Sequence, residues 1–312
     1  MVRPITIELS GPFGLQQRGV ERLIRLLGPL LTLNDEALIT VDLGRLVYMS
    51  PAALALFTAA LKRVADLGFL AEGSELLPPR SPGVRNYLLR MHAIDLVAGD
   101  DFGSQLKKRP PTGFQPLLHF KDQQDYPVAA SQLTEFLVEQ ATTDRLARAS
   151  LRITLDEIAE NVVHHADTPV GGFAAAQRWT RSNEVEIAVV DLGVGVRASL
   201  RKNPQHADVV SDVDAIARAL QPRVTSTPER NAGIGLFITK LLLEANGGLL
   251  VVRSGYGLVQ SGATQATSLE ENVLPGTLVV LRARTDRPLD INSVYEHLEL
   301  EHPKDDNDGQ AG

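Results

Sequence analysis

Leu155-Asp156-Glu157-Ile158-Ala159-Glu160-Asn161-Val162-Val163-His164-His165-Ala166 lies near the middle of the 312-residue chain and closes an amphipathic stretch that opens near Asp144. Its apolar periodicity predicts one long helix over 144–166. Glu157 and Asn161 are i and i+4, so their side chains share a helix face with Cβ atoms about 6 Å apart. That pair suits a metal triphosphate. An Asn amide oxygen can complete a Mg2+ shell otherwise made of water and phosphate oxygens, while a carboxylate one turn away can deprotonate a water or hydroxyl. An exposed polar pair on a surface helix has the same spacing, so the reading turns on the segments C-terminal to this helix.

Two of those segments are rich in glycine. Asp191-Leu192-Gly193-Val194-Gly195 comes directly after the apolar run Val185–Val190. A carboxylate at a strand end can accept the exocyclic amine of adenine, and glycines let backbone approach the base; an ordinary Asp-Gly turn is the plain alternative. Gly233-Ile234-Gly235-Leu236 then opens a helix through Ala245, where free backbone N–H groups and the helix dipole can receive phosphate. Lys240 adds a charge one to two turns in, and the donor-rich segment holding Arg223, Thr225, Ser226, Thr227 and Arg230 can fold over a nucleotide as a lid. Gly276-Thr277 closes the series at the head of a last apolar strand.

Outward from this core, the pattern predicts a helix over 128–140, strands over 171–179 and 184–190 turning near Asn183, a helix over 213–220, and strands over 249–254 and 277–283 that bracket a polar excursion. The first third alternates strands (5–9, 37–43, 69–77) with helices (17–27, 51–67, 84–91), a small α/β arrangement in which Pro51 starts one helix and Gly68 ends it. Residues 98–116, with Lys107-Lys108-Arg109-Pro110-Pro111, read as a surface connector. A final helix is expected over 291–300, and the charged tail 301–312 reads as disordered.

Together the motifs resemble the GHKL superfamily of gyrase, heat-shock chaperone, histidine kinase and mismatch-repair ATPases. Glu157 and Asn161 match its N box, Asp191, Gly193 and Gly195 its first Gly box, and Gly233 with Gly235 its second; Thr277 matches the threonine that supports the adenine site. The resemblance covers about residues 124–284. It implies a Bergerat α/β sandwich with helices over one face of a mixed sheet, ATP and Mg2+ as ligands, Asn161 on the metal and Glu157 as general base. The N box looks most like that of bacterial anti-sigma-factor serine kinases. No helical hairpin carries a phosphoacceptor histidine, and His164 and His165 sit at a helix end, which disfavours a sensor histidine kinase.

The stretch Ile39–Leu54 resembles the STAS domain of anti-anti-sigma factors. There Met49-Ser50-Pro51-Ala52 stands where that family has an Asp-Ser-Ser-Gly turn with a phosphorylated serine. Ser50 is then either a phosphorylation site or a plain helix N-cap. The expected organisation is a STAS-like domain with linker over 1–120, a GHKL ATP-binding domain over 121–300, and the tail.

Composition bounds the rest. A hydrophobic share of 44% with 22% charged residues fits a soluble globular protein. A net charge of −7 argues against a nucleic-acid binder, which would carry a basic stripe. The absence of cysteine excludes disulfides and thiolate metal sites and fits a reducing compartment. Neither an export signal nor about 18 consecutive apolar residues is seen, so a cytoplasmic protein is expected. The expected function is an ATP-binding regulatory protein with a protein partner, either a serine kinase or ATPase or a non-catalytic, nucleotide-gated interaction module; homodimerisation stays open.

Overall fold

The computed structural model describes residues 2–14, 18–94, 112–141, 145–224, 233, 235–261, 265–268, 272–290 and 294. The protein is α/β, with both parallel and antiparallel sheets. Its elements are, in order, β1 (Arg3–Glu8), β2 (Gly11–Phe13), α1 (Gly19–Leu31), β3 (Ala37–Asp42), β4 (Leu46–Met49), α2 (Pro51–Asp66), β5 (Glu75–Leu77) and α3 (Pro82–Arg90). The second part continues with β6 (Phe114–Phe120), α4 (Tyr126–Gln140), α5 (Arg145–His165), β7 (Gly172–Trp179), β8 (Glu184–Asp191), α6 (Gly195–Leu200), α7 (Asp212–Ala219) and α8 (Gly235–Asn246). β9 (Leu249–Gly255), β10 (Gly257–Gln260), β11 (Gln265–Ser268) and β12 (Leu274–Arg284) complete it. Among the described residues, no helix is long and apolar enough to cross a membrane.

The N-terminal unit holds a parallel sheet, β1-β3-β5, and a separate parallel pair, β2-β4. The second unit is a seven-stranded sheet in the order β11-β10-β9-β12-β8-β7-β6. A mixed sheet was expected here, but all six of its pairings are antiparallel. The reason lies in one insertion. β8 and β9 run in the same direction, joined by a long helical crossover, but β12 slots between the two, so that each has an antiparallel neighbour. The second sheet also starts at Phe114, ahead of the boundary expected at 120. Pro116 is tolerated there because β6 is an edge strand with an irregular register between Gln115 and Leu118.

α2 shows why the two units form one body. Ser50 caps its N-terminus by accepting the Ala53 N–H at 3.4 Å, Pro51 occupies the first turn, and Gly68, at φ +70°, lies just past its end. Every residue from Pro51 to Leu61 is buried, so no face of this helix meets water over that length. It contacts α1 and β4 of its own unit and β7, β8 and β12 of the second. Ala52, Ala53, Ala55, Ala59 and Ala60 have no exposed surface and neither do Ala175 on β7 and Ala188 on β8, and small residues on both surfaces let helix and sheet approach closely. Leu23, Leu27, Phe57, Phe173, Val190, Leu278 and Val280 therefore belong to one hydrophobic core. α4, α5 and α8 cover the opposite sheet face with a second core built on Leu133, Leu155, Ile158, Val189, Leu243 and Leu281.

Two ion pairs, one buried and one partly buried, cross or brace this junction. Glu186 on β8, fully buried, accepts Arg282 Nη2 at 2.7 Å and the Ala52 N–H at 3.3 Å, and the Ser50 hydroxyl donates to it as well. Burial pushes the Glu186 carboxyl up, against the pull of Arg282. Arg253 on β9, 1% exposed, pairs with Glu21 of α1 at 3.1 Å and donates to the carbonyls of Gly255, Gly257 and Asn272. Ser50 is thus a buried helix cap facing a carboxylate from the second unit.

The connector around Lys107-Lys108-Arg109 lies outside the described residues, as do the 301–312 tail and all of the expected 291–300 helix except Val294. Because one core runs through both units, urea should unfold the chain in one transition, with Trp179 fluorescence and far-UV circular dichroism superimposing. Two separated transitions would contradict the shared core. Arg282→Met strands Glu186 in the interior and should lower the unfolding free energy by about 3–5 kcal/mol. A loss the size of an ordinary surface substitution would show that Glu186 does not depend on its partner.

Candidate functional site

One cavity gathers residues that are far apart in the chain. Its lining includes Glu157 and Asn161 from α5, Asp191 at the end of β8, Gly195 and Ser199 from α6, Gly233 and Gly235 at the start of α8, and Thr277 from β12. Ile158, Val162, Val189, Val196, Leu200, Val252 and Val279 form apolar walls. Seven of the eight residues singled out from sequence thus face one space, and the eighth, Gly193, shapes it from behind.

Each element is placed for a physical reason. α5 buries Leu151, Leu155, Ile158, Ala159 and Val162 against the sheet, which rotates Glu157 and Asn161 to the rim of the cavity. β8 alternates its faces, so Glu186, Ala188 and Val190 meet the N-terminal unit while Ile187, Val189 and Asp191 face the helix layer. The turn after Asp191 is pressed against the end of α5, where the Val194 N–H donates to the Ala166 carbonyl at 2.7 Å. A Cβ on Gly193 would stand 1.8 Å from that carbonyl oxygen, so only glycine fits. The same holds across the corner at Gly276, with φ +90° and room for a Cβ only 2.2 Å from the Asp191 carbonyl oxygen.

Asp191 is the most unusual group. It is 4% exposed, and its Oδ1 accepts the Gly193 N–H at 2.8 Å. Burial pushes its carboxyl up to about 7, although backbone N–H groups of Gly193 and Thr277 pull the other way. Thr277 lies directly opposite it in the β8–β12 register. Glu157 is likewise pushed up by burial, with Glu160 adding to the shift, while a hydrogen bond from the Gly235 N–H opposes it. Two carboxyls raised by burial thus line one cleft, as Glu21 and Glu186 are raised at the junction.

Ser254 is a member that sequence reasoning missed. Only 2% exposed, its hydroxyl accepts the Val196 N–H at 2.9 Å, donates to the Gly276 carbonyl at 2.8 Å and lies 3.4 Å from Thr277 Oγ1. It ties the start of α6 to the Gly276-Thr277 corner beside Asp191. Only the β9–β12 register, which puts Ser254 opposite Thr277, could have revealed it, and that pairing is long-range.

Other expectations fall outside the cavity. Lys240 is not among its lining residues, and the lid segment 225–232 lies outside the described residues, leaving Arg223, at φ +63°, as its described flank. His164 packs edge-on to the Tyr126 ring and sits 3.7 Å from Glu160. Among the described residues, no cluster of three His, Cys, Asp or Glu could hold a metal, and no lining residue is Lys, Arg or His. Compared with known proteins, the chain matches no family model and no curated sequence.

The raised Asp191 carboxyl sets a pH dependence. Its folded value lies above the ordinary 3.8, so the folded state holds this proton more tightly, and the stability it contributes is full below pH 4 and lost as pH rises through about 7. Asp191→Asn removes that dependence. The variant should gain thermal stability over wild type as pH rises from 4 to 7, and parallel melting curves across that range would contradict a buried, uncompensated carboxylate.

Proposed function

We propose that the protein binds ATP with Mg2+ in this cavity and acts as a regulatory serine kinase or ATPase resembling the anti-sigma-factor kinases. The observation that carries the reading is the convergence of Glu157, Asn161, Asp191, Gly195, Gly233, Gly235 and Thr277 on one space. The chemistry of that space suits an adenine nucleotide. Apolar walls accept a flat base, and Asp191, whose described hydrogen bonds come from backbone donors alone, accepts its exocyclic amine. The start of α8 offers a dipole for phosphate.

The donor set also fits a divalent cation that arrives with the nucleotide. One Asn oxygen and one carboxylate cannot cage a metal alone, but Mg2+ keeps several waters and uses phosphate oxygens. With no lining Lys or Arg among the described residues, such a cation would supply the charge that a triphosphate needs there. Asn161 would hold it, and Glu157 would take the proton from an attacking water or protein hydroxyl. The partner protein that would supply that hydroxyl is part of the proposal, as is a STAS-like role for the N-terminal unit.

A second reading has its own support. β8, β9 and β12 line the cavity on one face and dock the N-terminal unit on the other, so a nucleotide bound here can change a protein interaction without turnover. Glu157→Gln separates the two. In the catalytic reading it should cut phosphate release or transfer at least about 100-fold with ATP affinity no weaker than wild type; equal activity would remove Glu157 from the chemistry. Asp191→Asn should weaken ATP binding about tenfold or more, and unchanged affinity would contradict its role at adenine. Labelled ATP with Mg2+, alone and with cell extract, distinguishes bound nucleotide, free phosphate and a labelled protein.

A further inference from the structure

Glu157 and Gly235 touch. A Cβ on Gly235 would stand 2.0 Å from Glu157 Oε2 and 2.9 Å from the Glu157 Cβ, so the carboxylate lies directly on the first residue of α8. The Gly235 N–H donates to that carboxylate. A helix of 12 residues starts there, and the N–H groups of a helix's first turn lack partners within the helix and lie at the positive end of its dipole. The protein's own anion has taken that place. The contact is also compatible only with glycine at position 235, because any side chain would push the carboxylate away.

We propose that Glu157 is a built-in competitor for the phosphates of the nucleotide: its carboxylate takes the N–H at the start of α8, and an incoming phosphate must displace it. This rests on the nucleotide reading above and adds a gate to it. Two anions at one N–H group repel each other, so a phosphate and the Glu157 carboxylate compete for that place. Displacement leaves the carboxylate free, one helical turn from Asn161, where it can serve a water or hydroxyl. The base is thus kept occupied until phosphate arrives, and nucleosides without phosphate leave the contact intact.

The test is equilibrium binding of ATP, ADP and adenosine to the full chain, comparing wild type with Glu157→Ala and Glu157→Gln. Glu157→Ala should bind ATP and ADP about tenfold more tightly, because no charged group must leave Gly235, while adenosine affinity stays unchanged. Glu157→Gln keeps an acceptor for Gly235 without its charge, so it should fall between the two, and it carries the test should the alanine variant fail to fold. ATP affinity unchanged or weakened in both variants, with adenosine still binding the wild type, would overturn the gate alone. Failure of the wild type to bind either ATP or adenosine would overturn the gate and the nucleotide reading together.

Discussion

The seven-stranded sheet is covered by helices on both faces, and this constraint organises the whole chain. A strand alternates its side chains, so each central strand must satisfy two different surfaces from one short sequence. β8 does this with Glu186 and Asp191, five residues apart and therefore on opposite faces; β12 does it with Arg282 and Thr277, and β9 with the adjacent Arg253 and Ser254. One member of each couple anchors or braces the N-terminal unit and the other builds the cavity. The junction between units and the candidate site are consequently two sides of the same three strands.

Electrostatics separates these two roles. Buried charge is tolerated when paired and hydrogen-bonded. Glu186 has Arg282, a helix N-terminus and a hydroxyl, while Arg253 has Glu21 and three carbonyls. Asp191 has two backbone N–H groups and, among the described residues, no cation, and burial pushes its carboxyl up to about 7. A group left with spare accepting capacity inside an apolar cavity is poised for a ligand's donor. Burial raises Glu186 and Glu21 at the junction as well, so Asp191 stands apart by its place on the cavity wall and its lack of a cation partner among the described residues.

Local pattern carried much of this architecture into the sequence. α5 was legible from its 3.6-residue stripe, β7 and β8 from apolar runs around a turn at Asn183, and α2 from Pro51 and Gly68. The motif residues were legible because chemistry at a strand end or helix start depends on a few neighbouring residues. Three kinds of feature were not. Short strands such as β2 and β4, and the β10–β11 hairpin inside the supposed polar excursion, have too few residues to show a period. β6 was hidden by Pro116, which reads as loop unless the strand is known to lie at an edge. Long-range choices left no local trace at all: the insertion of β12 between β8 and β9, the all-round burial of α2, the knot at Ser254 and the contact of Glu157 with Gly235 are made by residues remote in sequence.

In the proposed function, Asp191 and the start of α8 are two ends of one nucleotide site. A crystal structure of the chain with Mg2+ and a non-hydrolysable ATP analogue tests it most directly. The adenine amine is expected on the Asp191 carboxylate, the cation on Asn161, and the phosphates at Gly235 with Glu157 moved away. An analogue bound elsewhere, or an adenine that leaves Asp191 untouched, would contradict it.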